Sequence, residues 1–588
     1  MKLLIKTILF LLLSNSAYAA SPVLFYSDLS AGPATSSSTT SGNGVYVTIW
    51  GNNFGATRGS STVTVGGGAV ASYITWTNTM VCFQLGSSSS TGNIVLTTSS
   101  GTSNGLSFTV QSGNIYFISG SGSCTSSCTE SNPYSVSGFS TLYNVSGNSI
   151  PAAGDTIYIM SGTYQNEYIA GNNSSYQGII GFIDSGETIN KTGTSGHPVS
   201  WIGYPYSGDT QYNFSATLKS TSYRGIIWSY GPTYQTFAKL MMVSTVSSNG
   251  NAIIFGGGGE GGITGWSIIG NNITATSWND GLIDIAGSGN NILGNEIHDS
   301  GSGMSNDNQD HTIYLDGPSS TTVAWNYFYN NQNEGFEIDS YHSGPRTGSI
   351  HDNLIVDSTP GSSRGINLGA FDGGDSGAPA NLYTNSYTVY NNILVNVGQD
   401  TGCGAGDNDS AIGLIVGTAY VYNNTIYGSP DNCGMMQVAP FSTGVSGFGP
   451  SGGNAQWYVT NNIFYATSSV QYITDGSTSG TPSSSLFQLM TKNNYYGNGN
   501  GSSLDASPIN ADPKFVTNGS NFHIQSSSPD VGAGYNTNSV VSTDYDGVTR
   551  NNPPDIGAYQ YATGGGGGNN GTGDFFTGNI TIKGITFK

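Results

Sequence analysis

One short phrase keeps returning along this chain, and it limits the possible folds more than any other feature. GNEIH, WNYFY, DNLIV, NNILV, NNTIY, NNIFY and NNYY are anchored at Asn295, Asn326, Asn353, Asn392, Asn424, Asn462 and Asn494, at spacings between 27 and 39 residues. Each phrase is partnered by a segment with apolar residues at alternate positions, such as GLIDIAG (281 to 287), HTIYLDG (311 to 317), GFEIDSY (335 to 341), GINLGAF (365 to 371) and AIGLIVG (411 to 417). A constant phrase at variable spacing is the signature of a repeat whose loops differ from one copy to the next. A strand of this length buries one side chain in two, and stacked copies merge those stripes into one continuous core. An asparagine at a fixed turn position bonds backbone groups that water cannot reach, each coil to the next. The Asn column is therefore read as structural, and the coil as a parallel solenoid.

Length and composition agree. The 588 residues exceed what one core supports, and 87 Gly, 36 Tyr and only 8% charged residues describe short strands and polar turns. With 14 Lys and Arg against 34 Asp and Glu, the net charge of −20 argues against nucleic acid or an anionic membrane surface as partner. Residues 1–19, MKLLIKTILFLLLSNSAYA, read as a secretory signal peptide. No later apolar run reaches the roughly 20 residues of a membrane span, so a secreted, extracellular protein is expected. Export permits disulfides, predicted as Cys124–Cys128 and Cys403–Cys433, with Cys82 in MVCFQL left as a buried thiol.

Residues 20–113 carry short alternating segments between Gly and Ser clusters. VTIWGNNFG (Val47 to Gly55), STVTVGGGAV, the Trp76 segment and GTSNGLSFTV (Gly101 to Val110) resemble the immunoglobulin-like IPT/TIG module. The resemblance implies a spacer or binding module, with Trp50 and Trp76 read as core packing over sugar stacking. From Asn114 the texture changes. NIYFISGSGSCTSSC, GDTIYIMSGTY and GTSGHPVSWIGYP, in that order, resemble the opening coils of secreted right-handed β-helix proteins related to pectate lyases. SSSPDVGAGYN and DYDGVTRNNPPDIGAYQY resemble the closing segment of such proteins, which sets the boundary near Tyr561. The expected fold class is all-β: an N-terminal immunoglobulin-like β-sandwich, then a right-handed parallel β-helix over residues 114–561. Residues 562–574 read as a Gly-rich linker and 575–588 as a tail.

Candidate chemistry follows from aligning the inward pairs Ile283/Ile285, Ile313/Leu315, Phe336/Ile338 and Ile366/Leu368. That alignment puts Asp284, Tyr314, Glu337 and Asn367 in one outward column and stacks Asp316 beside Asp339. Adjacent carboxylates repel, and a Ca²⁺ ion held by Asp316, Asp339, Asp284 and Glu337 relieves the repulsion. Such an ion also neutralises an acidic sugar and acidifies its C5 proton, which is lyase chemistry. Tyr314, His311 and His342 are the candidate bases, and Arg346 and Arg364 the candidate holders of the substrate carboxylate. Tyr341 and Asn367 are candidate sugar contacts. Asp372, Asp375, Asp400, Asp407 and Asp409 form a possible wall above them. Three readings stay open: a lyase on a uronate-containing extracellular polysaccharide, an inverting hydrolase using two of these carboxyls, and a glycan-binding or adhesin-like surface protein. The bland alternative is that the acids solvate one face of the sheet.

Overall fold

The computed structural model describes residues 20–145, 150–171, 178–182, 191–222, 225–229, 231, 233–246, 252–256, 263–278, 281–302, 310–332, 335–340, 347–356, 364–368, 386–398, 410–414, 417–428, 434–438, 456–475, 480–499 and 502–561, with the backbone alone at 182 and 316–319. The expected signal peptide, the expected Cys403–Cys433 disulfide, the linker and the tail lie outside the described residues. Among the described residues no helix is long and apolar enough to cross a membrane.

The N-terminal module is a sandwich. Its first sheet runs Val23–Ser27, Tyr46–Asn52, Met80–Gln84, Ser72–Trp76, and its second is built on Leu106–Val110, Gly92–Thr98 and Thr62–Val65. All seven residues of Tyr46–Asn52 are buried, although an antiparallel sandwich strand ordinarily wets one face. The reason is a second contact. Tyr26, Tyr46 and Trp50 pack in one cluster with Tyr158, Ile202, Ala238 and Ile269 of the following domain. The Tyr158 hydroxyl accepts from Tyr46 N at 2.7 Å and donates to Tyr46 O at 2.9 Å. Trp50 is fully buried against Tyr26, and Trp76 donates to Phe54 O, so both tryptophans pack as expected. Cys82 is buried and free, and burial pushes its thiol up to about 11.

The rest is a solenoid of three parallel sheets. The first has 13 strands, ending at Phe487–Thr491, and the second has 11, from Gly162–Gln165 to Asn494–Gly497. The third, also of 11, runs from Ile180–Phe182 to Ile473–Asp475. Each coil crosses them in order, in the right-handed sense that parallel crossovers take. The short helix Val136–Tyr143, capped by Ser135, lays Phe139 and Tyr143 over the N-terminal end of the core. Cys124 and Cys128 are bridged beside it.

The turn from first to second sheet is the constant part. Asn295, Asn326, Asn353, Asn392, Asn424 and Asn462 form one buried column, in which each amide oxygen accepts from the N–H and the amide of the Asn one coil earlier, at 2.9–3.1 Å. Asn271 extends the column at one end. At the other it passes through Asn493 to Asp505, not through Asn494 as the phrase alignment expects. The residue before each column position is left-handed, including Gly294 (φ 63°), Asn391 (54°), Asn423 (56°) and Asn461 (62°), a conformation that Gly and Asn take at least cost.

Two outer faces are covered by the chain itself. The sandwich sits on the first sheet, reaching as far as Trp325, which stacks on Phe25 at 5.6 Å. Residues 502–561 return along the second, packing Phe515, Phe522 and Tyr559 on Leu354, Ile393 and Ile463. That returning segment also grips the left-handed asparagines: Arg550 donates to Asn391 Oδ1 at 2.7 Å, and Asn423 and Asn461 donate to Asp555 O and Tyr535 O.

Candidate functional site

The third sheet carries the predicted cluster, and its register decides which residues meet. Ile283, Ile313, Ile338 and Ile366 stand in one inward column, so the next position outward reads Asp284, Tyr314, Asp339, Asn367. This corrects the sequence alignment, which set Phe336 and Ile338 against Ile313 and Leu315. The slip is two residues. A shift of one would turn every apolar side chain out of the core, whereas a shift of two preserves the alternation and leaves no hydrophobic signal. Phe336 is buried, as expected, but in a different row: it pairs with Arg364 and stacks on His311 at 5.8 Å.

Two expectations change with the register. Asp316 lies two positions past Tyr314, the residue that faces Asp339, so the two aspartates are not paired neighbours; Asp316 pairs with Ala286 on the other side. Glu337 leaves the outward column. It is 2% exposed, with its two oxygens 3.4 and 3.2 Å from Asn331 Nδ2, an anchor for the turn after the second sheet.

What the register brings together is a chain of bonds centred on Asp339. His311 Nδ1 accepts from the Phe336 N–H at 3.0 Å, which leaves the ring proton on Nε2, and Nε2 lies 3.2 Å from Asp339 Oδ2. Asn367 Nδ2 donates to Asp339 Oδ1 at 2.7 Å. The imidazole is thus held in one tautomer by two partners on the neighbouring strand, Phe336–Ser340. Tyr314 stacks on the same ring at 5.1 Å, Trp278 donates to His311 O at 2.8 Å, and the Arg364 guanidinium lies 5.5 Å from the Phe336 ring centre. Asp339 is fully buried, while His311, Tyr314, Arg364 and Asp284 each keep 6–7% exposure, so a ligand meets those four before the central carboxylate. Gly335 makes room: a Cβ there would lie 2.6 Å from His311 Nδ1.

Tyr341, His342 and Arg346, the Asp316 side chain, and the wall residues Asp372, Asp375, Asp400, Asp407 and Asp409 lie outside the described residues. Among the described residues no three His, Cys, Asp or Glu are grouped to hold a metal ion. The expected calcium site is therefore not assembled by Asp339, Asp284 and Glu337 alone. Sequence reasoning missed Phe336, Trp278 and Asn331; the one available signal was Gly335, a small residue just before an aromatic.

Among the described residues three other His–Asp pairs show by contrast what is particular here. His298 with Asp299 (2.8 Å) and His351 with Asp352 (2.6 Å) join neighbours in sequence at left-handed turns, and His523 with Asp546 (2.8 Å) ties the returning segment together. His311 and Asp339 come from different coils, and they sit on the outer face of the third sheet.

Residues 30–110 match the IPT/TIG domain. No curated protein matches the chain. Among solved structures it is similar to pectate lyase Pel9A, at 13% identity and a TM-score of 0.38 over 77% of this chain and 97% of that one. A rhamnogalacturonan lyase is similar at 13% and 0.30, over 69% of this chain and 91% of that one. A mannuronic acid specific polysaccharide family 6 lyase from human gut microbiota follows at 12% and 0.36, over 68% and 92%. These neighbours are polysaccharide lyases, and the likeness is distant.

Proposed function

We infer that the protein is a secreted lyase acting on a uronate-containing polysaccharide, with its active site on the outer face of the third sheet. One observation supports this above all: His311, Tyr314, Asp339, Asn367 and Arg364 converge from three adjacent strands, in a chain with only 6 His and 14 Lys and Arg. A fully buried carboxylate partnered by a scarce imidazole, with a scarce guanidinium over the adjoining Phe336 ring, is the kind of cluster that marks binding and catalytic sites.

The chemistry divides among these groups. Arg364 pairs with the uronate carboxylate, which makes the C5 proton more acidic. The C5–H bond breaks, its electron pair forms the C4–C5 double bond, and the C4–O bond opens as the leaving oxygen takes up a proton. His311 has one nitrogen on the Phe336 amide and the other toward Asp339, so the base is Tyr314, which enters the step as the phenolate, takes the C5 proton and passes it to the departing O4 oxygen. Asp339 and Asn367 are positioning residues that hold the imidazole still. Calcium belongs to this proposal only as an addition that the Asp316 side chain would have to complete, and no step depends on it.

The test incubates the protein with uronate and neutral polysaccharides, following both absorbance at the unsaturated-uronate band and new reducing ends. The expected result is that both rise together on at least one uronate polymer. Reducing ends without absorbance would make the protein a hydrolase. Binding with neither signal would make it a glycan-binding protein.

A further inference from the structure

Beyond the part under the sandwich, the first sheet turns a different surface outward. Tyr420 and Tyr458 occupy paired outward positions on adjacent strands, Thr418–Tyr422 and Gln456–Thr460, and stack at 4.8 Å with 20° between their planes. Tyr422 joins Tyr420 at 5.9 Å. Tyr535, on the returning segment, is 48% exposed and close enough that its phenol, with those of Tyr420 and Tyr458, adds to burial in raising the pKa of Tyr422. Four tyrosines from three stretches of chain thus share one half-open patch, away from the third sheet.

The chemistry of the patch identifies its occupant. A hydrophobic protein surface would seat here on Leu, Ile or Phe, whereas tyrosine offers an apolar ring face and a polar rim together. The outward neighbours Thr388, Thr418 and Gln456 are hydroxyls and an amide. On strands Ser386–Tyr390, Thr418–Tyr422 and Gln456–Thr460 no Asp, Glu, Lys or Arg occurs, in a chain that carries −20 overall. An uncharged, hydroxyl-edged aromatic stripe complements an uncharged polyol with apolar C–H faces, and these three strands carry no cation to pair with a carboxylate. Tyr420 and Tyr458 lie on successive coils along the solenoid axis, which suits a short stretch of a linear polymer.

We propose that Tyr420, Tyr458, Tyr422 and Tyr535 form a second glycan-binding face, which takes a linear neutral polysaccharide segment independently of the third-sheet site. It requires no cleavage, so it stands or falls apart from the lyase reading.

The experiment is affinity electrophoresis of the full chain in gels containing a linear β-1,4-glucan, β-1,4-mannan, β-1,4-xylan or polygalacturonate. At least one neutral polymer retards the wild type, and Tyr420→Ala with Tyr458→Ala weakens that binding roughly tenfold. Tyr420→Phe with Tyr458→Phe keeps most of it, and Asp339→Asn leaves it unchanged. Thermal melting checks that each variant is folded. Retardation by polygalacturonate alone, neutral binding lost in Asp339→Asn, or full binding in a folded double-alanine variant would each overturn the proposal. So would a change of oligomeric state in that variant on gel filtration, since the patch would then seat a second copy. Failure of every neutral polymer to bind also overturns it, and leaves the lyase assay unaffected.

Discussion

The two ends of each second-sheet strand behave differently. On entry, from the first sheet, the chain spends one left-handed residue and one asparagine, coil after coil, from Gly270–Asn271 to Asn461–Asn462. On leaving toward the third sheet it spends variable lengths: Tyr329 to Phe336, Val356 to Arg364, Val395 to Ile412. Along the Asn column the freedom in coil length is therefore placed around the third sheet; the long turn from Gly203 to Ala216 at the other edge precedes the column. The Asn column tolerates no insertion, because each amide must meet the next at hydrogen-bond distance, while loops at the other edge answer to no such constraint and are where function collects. The outer faces teach the same lesson. The first and second sheets are largely roofed by the sandwich and the returning segment, and the His311–Asp339 cluster lies on the third.

The contrast predicts that variants on the two edges fail in different ways. The largest effect is expected at the third sheet: Tyr314→Phe lowers the cleavage rate by roughly 10²- to 10⁴-fold and leaves the melting temperature within a degree or two of wild type. A melt that fell along with activity would make Tyr314 part of the scaffold. At the other edge, Asn353→Ala strands the Asn326 N–H and the Val323 carbonyl that Asn353 now satisfies. It should cost about 2–5 kcal/mol, read by denaturant unfolding, with per-molecule activity of the folded fraction retained. A ladder variant of wild-type stability would break the comparison outright.

A smaller effect concerns the returning segment. Burial raises Asp530 to about 7, against which the two bonds from Asn494 act weakly. The folded state then holds this proton when the unfolded chain has released it, so stability falls as pH rises from about 4 through 7. Asp530→Asn, which mimics the protonated form, should flatten that slope in melts between pH 5 and 8. An unchanged slope would mean that Asp530 does not contribute. Smallest of all, Cys82 should stay unreactive toward a thiol reagent until the sandwich unfolds, since it is buried and its thiol is pushed up to about 11. Rapid labelling of the native protein would show that the sandwich opens separately from the solenoid it packs on.

Much of the architecture was legible because it repeats. The Asn phrase, the apolar alternation and the Gly and Asn turns each point to the same coil, and the column meets the expectation through six of its seven named anchors. The seventh slipped by one, because Asn494 occupies the place that aliphatic Ile463 holds one coil earlier. The candidate site was legible in membership more than in arrangement. His311, Tyr314, Asp339, Asn367 and Arg364 were named, but pairing across strands was set two residues off, which alternation cannot detect. Docking of the sandwich was not legible: Tyr46–Asn52 reads as a strand with one buried face, and the burial of its other face depends on Tyr158, more than 100 residues away.

The most direct measurement is a crystal structure of Tyr314→Phe with a uronate oligosaccharide bound. The account predicts the sugar on the outer face of the third sheet, with a carboxylate against the Arg364 guanidinium and C5 turned toward the position of the missing Tyr314 hydroxyl. A uronate seated instead on the first or second sheet, with Arg364 and His311 untouched, would contradict it.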